Sequence, residues 1–372
     1  MHKYTTALLC IVLIFSSVAC KKSSSTSTPV YDVPTSYTFA SVNYSNQLIL
    51  IAMADQLVAA INTANTIPGT AVSAQVLTGM FTNTGSYFND SALQLNSSGL
   101  RLSDCFPQTA KADLLNYLDS VGVYSQSGVT AAPGVAGVAA SVANANKKYL
   151  LSPNGVFYSQ VVKKAIMGAF AYQIAGIYMA DSINSTTDTV RLAHYWDAAF
   201  GFFGVPVNFP TSTTGLKYFG SYSNQVNAGL GSNASIMNAF LKGRAAIGAG
   251  DLSTMKTQAT LLISLFDTLN AACVVQEMHE TNTNIEAGDA VAAYGTLSES
   301  LGFVRNFSYN TGKRVITAAQ YNQLLALYDG GNLYTFVGAS VNTNAQIEAK
   351  TNAIQQLIGQ IYGFDATELS GL

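Results

Sequence analysis

Few residues in this sequence can do chemistry, and they are unevenly placed. The chain has 372 residues but only 3 histidines, of which His2 lies in the leading segment, so His194 and His279 are the ones a folded domain could use. His194 stands in RLAHYWDAAFGFFG, where Arg191, His194 and Asp197 recur at three-residue steps and share one face of a helix. A histidine and a carboxylate at i and i+3 can reach one metal ion, or the carboxylate can orient the imidazole from behind. The same spacing also suits a buried His-Asp-Arg network that locks a core helix, because buried polar groups need partners. Trp196, the single tryptophan, stands among Tyr195, Phe200, Phe202 and Phe203 and would form an aromatic wall.

Two further charges sit in apolar surroundings. Glu299 in TLSESLGF falls between Leu297 and Leu301, and Arg244 in FLKGRAAI is similarly enclosed. They could pair across a helical bundle or line a ligand pocket. His279 lies in VVQEMHETNTNIEAGDA, where Glu277 and Glu280 do not share its helical face. The string is not His-Glu-x-x-His, because position 283 is Thr, and a solvated helix end accounts for it. Gly229-Leu230-Gly231 has no preceding strand, so a dinucleotide loop is not supported. Walker and Gly-x-Ser-x-Gly signatures are absent.

These residues must be positioned by helices. Apolar residues recur at three- and four-residue spacings over 46–64, 71–81, 109–126, 157–182, 187–203, 233–249, 252–282, 286–306, 317–328 and 343–362, with Gly and Asn at the boundaries. About ten helices in one chain predict an all-α fold, a compact helical-bundle assembly built as one body or as two bundles side by side. Segment 157–182 is the most apolar and reads as a central core helix, with Gly168 and Gly176 allowing close packing. Segment 127–146 is rich in glycine and small residues and reads as a loop.

Composition narrows the function classes. Charged residues make up 10 % against 49 % hydrophobic, and the net charge is −2; soluble domains usually carry about 25 % charge. No basic cluster is present, which sets nucleic-acid binding aside. Ser, Thr, Asn and Gln replace the missing charge. Beyond the leader, no run of 18 consecutive apolar residues argues for a membrane span.

The leader itself is informative. Lys3, an apolar run from Ala7 to Phe15, and then Ser16, Ser17, Val18 and Ala19 before Cys20 read as a lipoprotein signal peptide over 1–19, with Cys20 the lipidated first mature residue. Residues 20–36 are Ser/Thr-rich with two prolines and suit a flexible tether, followed by one helical domain over 37–372. Lipid at Cys20 would hold the protein at the cell envelope, on the outer membrane and facing either the periplasm or the surface. Cys105 and Cys273 remain in the domain, either paired or as buried thiols.

The strings VNYSNQL at 42–48, KKYLLSPNGVFYSQVVKKAIMGAFAYQ at 147–173, AHYWDAAFGFFGVPVNFP at 193–210, NAFLKGRAAI at 238–247 and LSESLGF at 297–303 resemble the lipoprotein family called domain of unknown function 4856, found mainly in Bacteroidetes-type bacteria. The resemblance covers nearly the whole mature chain and implies an all-helical envelope lipoprotein without an assigned activity. It also implies a histidine two residues before the Leu-Ser-Glu string, where this chain has Gly295. A weaker similarity reaches imelysin-like envelope proteins, whose Gly-x-His-x-x-Glu motif is linked with iron uptake; here His194 and Asp197 match only its His and acidic positions.

Together these readings predict a binding protein rather than an enzyme. A polar centre of His194, Asp197 and Glu299 would hold a divalent metal or iron, with Arg191, Arg244 and Trp196 binding a ligand, in service of an outer-membrane uptake system. Two alternatives are a carbohydrate-capture lipoprotein, for which the aromatic residues supply stacking surfaces, and a metallopeptidase-like enzyme of imelysin type.

Overall fold

The structure is a computed structural model and describes residues 30–372 apart from 67–68, 91, 311, 313 and 339–340. The expected signal peptide, Cys20 and most of the tether lie outside the described residues. Tyr31–Leu372 forms one unit, and Tyr31 already donates a hydrogen bond to Asp251 at 3.3 Å.

Every helix that the apolar spacing predicts is present. The first three are α1 (Ser45–Asn62), α2 (Ala74–Thr82) and α3 (Gln108–Tyr124). In α1 the buried residues include Leu50, Ile51, Met53, Ala54, Leu57 and Ile61, while Leu48 stays exposed. The expected loop over 127–146 instead contains a strand. β1 (Gly137–Ala140) pairs antiparallel with β2 (Lys148–Leu151), in the register Gly137 to Leu151 and Ala140 to Lys148. Small residues concealed this strand because they carry little β-propensity. Gly137 is required there, since a Cβ would run into the backbone carbonyl of Val129.

The apolar segment from 157 begins as α4 (Tyr158–Ala171), passes through a π-helical stretch (Tyr172–Met179), and ends as α5 (Ala180–Asn184). It is a core helix, as expected, and Gly168 lets the Asn306 side chain lie directly against its backbone. After α6 (Thr189–Phe203) come two short helices that apolar spacing does not reveal, α7 (Tyr218–Gln225) and α8 (Asn227–Leu230). Then follow α9 (Ser232–Gly248) and the 35-residue α10 (Leu252–Glu286).

α10 is long and apolar enough to cross a membrane by length and composition, but most of its apolar window is buried. It packs along α9, α11 (Ala290–Asn306) and α14 (Asn344–Tyr362), which makes it the central core helix. Asp289 stops the preceding turn and caps α11 through the Ala292 amide at 3.0 Å. The remaining helices are α12 (Ala318–Ala326), α13 (Leu333–Val337) and α15 (Ala366–Gly371). Capping boxes start α12, α14 and α15 at Thr317, Thr343 and Asp365.

One contiguous core runs from Tyr37 to Phe364, so the helices form a single all-α assembly rather than two separate bundles. α11 packs on both α4 and α10, and α10 also packs on the π-helical stretch that continues α4, with α1 and α3 outside α4 and α13 against α11. Phe200, Phe203, Phe240 and Phe266 form an aromatic group where α6, α9 and α10 meet, and Tyr37 stacks on Phe200 with ring centroids 3.8 Å apart.

Candidate functional site

The residues expected to form one polar centre occupy two different places. Asp197 on α6 is buried and accepts hydrogen bonds from Arg244 Nε at 2.9 Å, Tyr37 Oη at 3.0 Å and the Asn43 amide at 3.2 Å. Arg244 also reaches the Ala40 carbonyl at 3.4 Å, and its guanidinium lies 5.2 Å from the centre of the Phe39 ring. The Asp197 carboxylate is thus spent on fastening residues 37–43 to α6 and α9; it is a packing network, but its arginine is Arg244 from another helix, and Arg191 and His194, which the spacing would have included, stay exposed outside it. The Tyr37 phenol, buried beside this carboxylate, is held well above its ordinary range, first by burial and then by the charge of Asp197.

His194 is exposed and lines a 470 Å³ depression over this network together with Asp197 and Arg244. Arg191 is exposed as well, its guanidinium 5.8 Å from the Tyr195 ring. Trp196 is fully buried against Gly243, where no side chain would fit, so it is a core residue and not the wall of a binding site. Glu299 lies on α11 in a separate cluster. Among the described residues no three His, Cys, Asp or Glu side chains are grouped to hold a metal, and the expected centre of His194, Asp197 and Glu299 is not assembled.

Glu299 has partners that sequence reading did not supply. Lys164, from α4, is completely buried and forms an ion pair with Glu299 Oε2. Its ammonium also bonds Tyr222 Oη at 2.5 Å and lies 5.2 Å from the Phe303 ring centre. Tyr222, from α7, is 2.7 Å from Glu299 Oε2 and 3.0 Å from Glu277 Oε1. Four helices therefore converge on one buried cluster.

The two carboxyl groups titrate in opposite directions. Burial raises the Glu277 carboxyl well above its ordinary range, and the charge of Glu299 adds to the effect. Burial would raise Glu299 too, but the Lys164 charge and the hydrogen bonds from Lys164 and Tyr222 bring it below the usual range. A phenol has one proton, so Tyr222 can donate to only one of them. Neutral Glu277 resolves the conflict: it donates to Tyr222, Tyr222 donates to Glu299, and Lys164 balances the remaining anion. Glu277 thus corrects the expectation of a solvated helix end. His279 is also within α10, with Nε2 2.8 Å from the Leu369 carbonyl.

Above this cluster opens a 560 Å³ cavity, within the size range of small-molecule sites, about 300–1,000 Å³. Glu299 lies in its wall with 18 % of its side chain exposed, and the hydrogen bonds it accepts from Lys164 and Tyr222 both fall on Oε2. Gly295 lies one turn before Glu299 on α11, and a Cβ there would come within 2.8 Å of the Tyr149 ring. The glycine therefore lets that ring occupy the place where the resemblance implies a histidine. Tyr149 is held edge-on by buried Phe157, with centroids 4.9 Å apart. Asp289 fastens the hairpin over the cavity, accepting from Ser141 Oγ at 2.5 Å and the Ala143 amide at 3.0 Å.

Glu299, enclosed between Leu297 and Leu301, was the visible signal for this site, and Lys164, a lysine inside the most apolar segment of the chain, was a second one that could have been read. Tyr222 gave none, because α7 has no apolar period. Cys105 and Cys273 are free and buried, and burial pushes the Cys105 thiol up to about 12, so neither supplies a reactive thiolate.

No curated protein and no solved structure matches the chain. A family model matches residues 34–365, nearly all of the described protein. The chain belongs to the family described as Domain of unknown function (DUF4856).

Proposed function

We propose that this protein is an envelope lipoprotein that binds a small solute, without transforming it, in the cavity above Glu299. The observation that carries the reading is a 560 Å³ cavity whose wall holds one partly exposed carboxylate fixed by a buried lysine. Fixing Glu299 by Lys164 and Tyr222 removes the entropy cost of ordering it when a ligand arrives. Against a catalytic role, Glu277 is 2 % exposed and Asp289 is occupied by Ser141 and the Ala143 amide, which leaves Glu280 as the second carboxylate on the wall, and among the described residues no histidine lines the cavity. The metal reading lacks a comparable observation, because His194 lies in the other depression.

Attachment to the envelope rests on the leader and Cys20. Replacement Cys20→Ser is expected to move the protein from the membrane fraction to the soluble fraction and to abolish labelling by a radioactive fatty acid. Binding is tested by native mass spectrometry of the purified domain with a mixed pool of sugars, amino acids, polyamines and divalent cations. The wild type should retain one solute class, and Gly295→Trp, which fills the cavity, should lose it. Retention of the same solutes by Gly295→Trp would reject the cavity as the site.

A further inference from the structure

We infer that the solute is a neutral polyhydroxylated molecule, a sugar ring of one or two units, seated between Tyr149 and Glu299; this rests on the binding reading above. Charge is the first argument. Lys147 and Lys148 line the cavity together with Glu280, Asp289 and Glu299, while Lys164 stands behind Glu299 and Asp289 is occupied by Ser141 and the Ala143 amide. Positive and negative groups therefore balance, and no field selects an anion or a cation.

The second argument is hydrogen-bonding capacity. A sugar hydroxyl both donates and accepts, so its site must offer both. Glu299 accepts. Gln160 uses its oxygen for Lys164 at 3.4 Å, which leaves its amide nitrogen to donate. Asn144 likewise uses its oxygen for the Asn146 amide at 3.1 Å and keeps its nitrogen free. Asn284, also on the wall, has no side-chain bond among the described residues and can serve as donor and acceptor. Adjacent carboxylate and amide groups of this kind match a pair of neighbouring hydroxyls, each giving and taking one bond.

The third argument is the aromatic surface. The apolar C–H face of a sugar needs a flat partner, and the half-buried Tyr149 ring lines the cavity. Its orientation is fixed by Phe157 and by the space above Gly295, so stacking requires little further ordering.

Saturation-transfer NMR and isothermal titration calorimetry test this with glucose, maltose, xylose and sorbitol, and with spermidine, citrate and leucine as charged probes. At least one sugar should bind the wild type, with transfer strongest at ring C–H protons. Affinity should fall about tenfold in Tyr149→Ala and in Asn284→Ala, about 1.4 kcal/mol each, both at sites outside the core. If a charged probe binds and is lost in the same variants while no sugar binds, the ligand class is wrong and the cavity remains a binding site. If a sugar binds with unchanged affinity in both variants, the proposed seat is wrong. If none of the probes binds, both the sugar inference and the present reading of the cavity are overturned.

Discussion

Lys164 on α4 and Glu299 on α11 form an ion pair in which the lysine has no exposed side-chain surface and the carboxylate keeps 18 %. The pair joins two central helices and turns a costly buried charge into the fixed wall of a cavity. Replacing one partner leaves the other uncompensated. Lys164→Met is therefore expected to destabilise the domain by roughly 3–5 kcal/mol, and the double variant Lys164→Met/Glu299→Gln should recover part of the loss. Urea denaturation of the four proteins in this cycle measures it; additive losses would show that the two groups are not coupled.

The Asp197 network leads to a contrasting pair of outcomes. Asp197→Ala strands the buried Arg244 and releases Tyr37 and Asn43, so a loss of about 3–5 kcal/mol is expected, with faster proteolysis within residues 36–44. His194→Ala, at an exposed position, should change stability by no more than about 0.5 kcal/mol. Elemental analysis of the purified wild type and His194→Ala should show the same metal content; a stoichiometric metal lost with His194 would restore a metal role for this face.

Opposite titration shifts give the cluster a defined pH response. The folded pKa of Glu277 is raised above its reference value of 4.5, so the native state binds the proton more tightly than the unfolded chain does. Its contribution is complete below about 4.5 and is lost as pH rises through the folded value. Glu299 is lowered, and its contribution is lost as pH falls through its own folded value. Glu277→Gln should therefore flatten the decline in melting temperature on the alkaline side, leaving the acid side as in the wild type. An unchanged alkaline limb would mean that Glu277 is already ionised in the folded protein.

Packing at Trp196 offers a test away from the cavity. Gly243 on α9 is in direct contact with the indole, and any Cβ would overlap it. Gly243→Ala, which ordinarily favours a helix, should here destabilise by about 1–3 kcal/mol and shift the tryptophan emission to longer wavelength as the ring is displaced towards solvent. Emission that stays unchanged would show that α9 accommodates the methyl group by moving.

The local part of this structure was legible in the sequence, and the site was only partly so. Apolar residues three and four apart decide which face of a helix is buried, so all the long helices could be read, down to the core role of 157–182. The hairpin of Gly137–Ala140 and Lys148–Leu151 and helix Tyr218–Gln225 could not, because their residues carry weak or mixed local preferences and are held by what they pack against. Arg244 and Asp197 were recognisable as charges in apolar surroundings, but spacing along one helix does not say which charge lies across the bundle. Asp197 is neutralised by an arginine 47 positions later, and Glu299 by a lysine 135 positions earlier.

The sequence by itself determined the helical class, the scarcity of charge and the few positions where charge is enclosed. Only the tertiary structure decided that those positions form two clusters rather than one, and that in just one of them a buried lysine fixes the carboxylate that faces a cavity. The physical reason is that helix formation depends on neighbours within a turn, whereas pairing of a buried charge is set by whichever helix the core brings alongside.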